Sequence, residues 1–72
     1  MRVRPLDEAV RRYVLRSTEA FLAGAQNERW IVGVLSHSGL DRLTTVALIQ
    51  PLFATSQFRN RAAFLQQWLR KE

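Results

Sequence analysis

Trp30-Ile31-Val32-Gly33-Val34-Leu35 is the stretch whose reading decides the fold. Its β-branched and aromatic residues carry strand character, and Gly33 weakens a helix interior. Against that, Asn27 stands where a helix N-cap belongs. Trp30, Ile31, Val34 and Leu35 also fall on one face at helical spacing. A strand needs neighbours to pair with, and the chain offers this one no clear partner. The stretch is therefore read as a short second helix, with a strand over residues 30–35 as the alternative.

The flanking segments read as helices too. Over residues 5–23, Pro5 suits a first helical position, and Asp7 and Glu8 suit the positive end of the helix dipole. Leu6, Val10, Tyr13, Val14, Ser17 and Phe21 form one stripe, with Gly24 as the stop. Asp7 to Arg11 and Glu8 to Arg12 have the spacing of ion pairs along a helix. Ser38 and Asp41 have the spacing of a capping box that opens a third helix. Leu40, Leu43, Val46, Ala47, Leu48, Ile49, Leu52 and Phe53 then wrap around that helix, so it is expected to be the most buried element. Pro51 should end or kink it near Gln50. Thr55 or Ser56 caps a last helix running to about Arg70, with Phe58, Ala62, Leu65 and Leu69 as its stripe and Phe64 and Trp68 beside it. The expected fold is all-α, a compact array of about four short helices in one domain spanning residues 1–72.

Composition narrows the function classes. A chain of 72 residues has room for one small core. It has no cysteine, so disulfides and thiolate metal sites are excluded, and its single histidine, His37, cannot build a zinc site alone. No metal or other cofactor is expected. No apolar run is long enough to span a bilayer and the N-terminus lacks a secretory pattern, so the cytoplasm is the expected location. Net charge is +5, with arginine far outnumbering lysine. That balance suits an acidic partner or phosphate, and the simpler reading, which is preferred, is a GC-rich genome that encodes arginine where others encode lysine.

Catalysis finds no constellation. Ser36-His37-Ser38 is suggestive in print, but adjacent residues do not face one another, and triads are assembled from distant positions. Gly24, Gly33 and Gly39 stand singly, so there is no phosphate-cradling loop. The chain is expected to be no enzyme, with no small-molecule substrate.

Gly39-Leu40-Asp41-Arg42-Leu43, followed by Val46, Leu48 and Leu52, resembles the start of the second helix in acyl and peptidyl carrier proteins. In that family a serine follows the aspartate and carries phosphopantetheine. Arg42 occupies that position here, so the resemblance implies at most an unloaded, degenerate carrier-like domain. The likeness is confined to residues 39–52, and Pro51 interrupts the long helix of the family. In size and helix content the chain also looks broadly similar to the compact helical adaptor domains of signalling and defence proteins.

Two binding surfaces compete. Seven aromatic residues are a large set for a small core, so Trp30, Phe53, Phe58, Phe64 and Trp68 are candidates for core or interface, with Arg61 and Arg70 as a polar rim. The expected function is a non-enzymatic protein-interaction or oligomerisation module that docks helix faces against a protein partner or a second copy, the homo-oligomer being favoured. The alternative is a small basic DNA- or RNA-binding regulator. Gln57, Arg59, Asn60 and Arg61 at the start of the last helix are side chains that read base edges. Arg12 and Arg16, in a basic N-terminal segment with Arg2, Arg4 and Arg11, would add phosphate contacts.

Overall fold

In the computed structural model, which describes residues 5–54 and 57–71 with side chains from Glu8 onward, the first helix, α1, spans Pro5–Leu22. Its end is set by Gly24 at φ +87°. Gly24 N–H donates to Phe21 O at 3.0 Å and Ala25 N–H to Ala20 O at 2.9 Å. This pair of bonds closes a helix on a left-handed residue, a conformation that costs glycine little.

The decisive stretch is helical: α2 spans Glu28–Ser36. Asn27 is extended, and its Oδ1 accepts the Trp30 N–H at 2.8 Å. Ile31 and Leu35, one turn apart, are buried. Gly33 faces open space, with nothing within 4 Å of where a Cβ would stand. The helix-weakening residue thus lies away from the packed side, and capping plus burial of Ile31 and Leu35 outweigh strand propensity.

The third helix, α3, spans Arg42–Phe53. Its start differs from the expected capping box. Asp41 is itself the N-cap, with Oδ1 accepting Thr44 N–H at 2.7 Å. Ser38 instead finishes α2: its hydroxyl donates to Leu35 O at 3.0 Å and accepts Leu40 N–H at 3.2 Å. The helix also continues past Pro51 to Phe53. Pro51 and Ala47, whose carbonyl loses its donor, are both exposed, so water can satisfy the broken rung.

The last helix, α4, spans Arg59–Lys71. Phe58 immediately precedes it, accepting Arg61 N–H and Ala62 N–H. The expected Thr55 or Ser56 cap lies outside the described residues, as do Arg2 and Arg4.

The fold is all-α, with α1 lying against the other three helices and α3 against α4. The core joins Val14, Phe21 and Leu22 of α1, Ile31 and Leu35 of α2, Ile49 of α3, and Ala62, Leu65 and Leu69 of α4. Each fully buried large aliphatic side chain contributes about 1.5–3 kcal/mol. The molecule measures 37 × 23 × 22 Å.

Two expectations about burial are overturned. Tyr13 leaves the α1 stripe and is 55% exposed, because Val14, Ser17, Thr18 and Phe21 take the inward side. The helix expected to be most buried, α3, buries only Thr45 and Ile49, and Leu43 is 81% exposed. It meets α1 and α4 on one side, and no described element covers the other.

Candidate interaction surface

The outward side of α3 is the unusual surface. Helical spacing places Leu43, Ala47 and Gln50 on one face, and all three are exposed. A helix with apolar residues around its circumference is ordinarily buried on all sides. This one is half covered.

Beside that face, α3 and α4 enclose a groove of about 300 Å³. Val46 and Phe53 from α3 and Leu69 from α4 supply its apolar surface, Gln50 and Gln66 its neutral polar walls, and Arg42 and Arg70 its charge. Arg42 is fixed in place, its Nη2 donating to Arg70 O at 2.9 Å. The guanidinium therefore braces the C-terminal end of α4, where carbonyls lack helical partners and cations are favoured. Arg42 thus acts as a bracing residue between α3 and α4.

A second groove, of about 490 Å³, runs between α1 and α2. Val10, Tyr13, Trp30 and Val34 line it, with Arg29 and His37 at its edges. His37 Nδ1 lies 2.8 Å from Gly33 O, a contact in which the ring nitrogen must donate. His37 thus helps close α2, with its backbone N–H reaching Gly33 O as well.

The aromatic candidates divide. Trp30, Phe53, Phe64 and Trp68 are half-buried and pack against the core. Phe64 meets Phe21 with ring centroids 6.0 Å apart and planes at 51°. Trp68 lies near Leu35, Leu40 and Thr45, between α2 and α3. Phe58 is 43% exposed, and its ring lies against the turn at Gly24, 3.6 Å from where a Cβ there would stand. Leu43 and Tyr13 are the two most exposed large apolar side chains of the described residues; the sequence places Tyr13 on the apolar stripe of α1 and Leu43 on a helix apolar around its circumference.

The nucleic-acid candidates do not converge. Gln57, Arg59 and Asn60 are exposed at the start of α4, with Gln57 just outside the helix. Arg12 and Arg16 are exposed on α1. Arg61, common to both candidate sets, turns inward. Its guanidinium carbon sits 4.8 Å from the Phe21 ring centroid. Its Nη1 donates to Phe21 O at 3.1 Å and to Gln26 O. Arg61 therefore ties the start of α4 to the α1–α2 turn. Arg70 is exposed at the α3/α4 groove.

Asp41 has its carboxyl pKa lowered by the Thr44 side-chain and backbone hydrogen bonds, with the Arg11 charge adding a smaller push. No cluster of metal-ligating side chains occurs among the described residues, and no helix of theirs is long and apolar enough to cross a membrane. No family model, curated protein or solved structure matches the chain.

Proposed function

We propose that this chain is a non-enzymatic protein-interaction module that docks through the outward face of α3. The observation that carries this reading is the exposure of Leu43, 81%, on a helix whose apolar residues run around its circumference. Leaving that side in water forgoes about 25 cal/mol for each Å² of apolar surface that a partner would cover. A partner protein or a second copy of the chain both fit this account. The half-buried Phe53 borders the same surface from the groove side, and Arg70 supplies a charged rim of the kind that steers encounter.

A second reading, a DNA- or RNA-binding regulator, is favoured by the exposed Arg12, Arg16, Arg59 and Asn60. Arg61, however, is engaged within the fold, which removes one expected base reader from that set.

The test is a photo-crosslinking residue placed at position 43, with position 12 as the exposed reference. The expected result is a discrete adduct from position 43, at dimer mass or at the mass of one partner, and none from position 12. Equal, diffuse products from both positions, or adducts from position 12 alone, would remove the reading.

A further inference from the structure

We propose that the groove between α3 and α4 seats an acidic, amphipathic helical segment of a partner protein, an inference that rests on the interaction reading above.

Charge is the first argument. Between Arg42 and Lys71 the sequence contains four arginines and one lysine but no aspartate or glutamate. One of these, Arg61, is turned away. Arg42 and Arg70 line the groove itself, and Arg59 lies on the α4 face that leads to it, seven residues before Gln66 and eleven before Arg70 by helical spacing. No carboxylate lines the groove beside Arg42 and Arg70, and Asp41, next to Arg42 in sequence, is engaged as the α3 N-cap, so the groove's two cations select carboxylates.

Shape and polarity are the second. Arg42, Val46, Gln50 and Phe53 make a row along α3, and Gln66, Leu69 and Arg70 face them from α4. Two such ridges leave a channel that takes the ridge of a third helix. The half-buried Val46 and Phe53 offer that helix an apolar strip, with the buried Leu69 beneath it, while the arginines and glutamines offer hydrogen bonds at its edges. Arg42 is already held by its bond to Arg70 O, so less rotamer freedom is lost when it meets a carboxylate. Leu43 lies on the same α3 face as Gln50, seven residues on, which continues the apolar contact outward.

Charge also separates the possible occupants. A second copy docked two-fold on this surface would bring two copies of the same cationic groove lining together, with no carboxylate from that lining to meet Arg42 and Arg70. A nucleic acid duplex would use the arginines but leave the strip of Val46, Phe53 and Leu69 without a role, because phosphate contacts are made by cationic and polar tips.

The test is selection of a random peptide display library on the immobilised full chain, followed by amide chemical-shift mapping with a selected peptide. The expected peptides carry Asp or Glu interleaved with Leu or Phe at helical spacing, and shift Val46, Gln50, Phe53, Gln66, Leu69 and Arg70. Gln50→Glu should weaken them about two- to fivefold and Gln50→Lys should strengthen them by a similar factor, the range of an exposed charge pair. Position 50 is exposed and both replacements are good helix formers, so folding is preserved. Failure to enrich any peptide, enrichment without acidic residues, or affinity indifferent to position 50 would overturn the proposal. So would a single-stranded oligonucleotide that shifts the groove amides where acidic peptides do not. Each of these outcomes leaves crosslinking at position 43 to judge the broader interaction reading separately.

Discussion

Replacing Arg61 with alanine should destabilise the fold. Its guanidinium makes two hydrogen bonds to backbone carbonyls, at Phe21 and Gln26, and lies over the Phe21 ring. Hydrogen bonds from a charged donor contribute about 1.5–3 kcal/mol each when well formed, but these two share one nitrogen and the residue is only half-buried. A cation over a ring adds about 0.5–1 kcal/mol. The expected loss for Arg61→Ala is about 2–4 kcal/mol, against the roughly 3–5 kcal/mol that a single core of this size supplies. Thermal unfolding followed by circular dichroism should therefore show a fall of roughly 10 °C or more, since about 1 kcal/mol moves Tm by 4–8 °C at this length. Arg61→Lys keeps the charge but not the fork geometry, and should fall between. Arg59→Ala, exposed on the same turn, should stay within about 0.5 kcal/mol. If Arg61→Ala unfolds at the same temperature as Arg59→Ala, the inward role assigned to Arg61 is wrong, and its place among nucleic-acid readers is restored.

Substitutions at four further positions have expected outcomes. Thr18 is fully buried and its hydroxyl has no partner, so Thr18→Val should raise stability by about 1 kcal/mol. The same change at Thr45, whose hydroxyl donates to Asp41 O at 2.8 Å, should lower it, and urea titration of both variants checks the opposite signs. Gly33→Ala adds a methyl into open space on a helix with ordinary backbone angles, so it should stabilise by about 0.5–1 kcal/mol; a loss would mean the α1–α2 groove closes over that position. Asp41 has a pKa below its ordinary 3.8, so its contribution is complete above that value and is lost as pH falls through the folded-state pKa. Asp41→Asn keeps a capping oxygen and should flatten the acid limb of a pH–stability profile; an unchanged limb would assign it to other carboxylates.

The parts of the fold legible in the sequence are those decided within a few residues. Gly24, Asn27 and the pair Ile31 and Leu35 each do locally what their types allow, and so the stretch at residues 30–35 could be read as a helix despite its strand-like residues. The start of α3 is ambiguous in the sequence because Ser38 and Asp41 can each serve as a cap. Ser38 is already committed to the end of α2, which spacing does not reveal. The burial of α3 is hidden in the sequence for a different reason. When apolar residues run around a helix, periodicity has no preferred direction, and which side is covered depends on where α1 and α4 come to lie. Leu43 was hidden from sequence reasoning in the same way. Arg61 looks like a surface cation in the sequence because the carbonyls that hold it, Phe21 and Gln26, come within reach only once α4 has packed against the end of α1.

The absence of cysteine from the chain makes a direct measurement possible. Leu43→Cys and Arg12→Cys each carry a single thiol at an exposed helical position. The rate of maleimide labelling is measured for each, in purified protein and inside intact cells that express it from its own promoter. The account predicts that both label readily when purified and that position 43 becomes protected in cells while position 12 does not. Equal labelling of the two positions in cells would contradict the claim that the outward face of α3 is a docking surface.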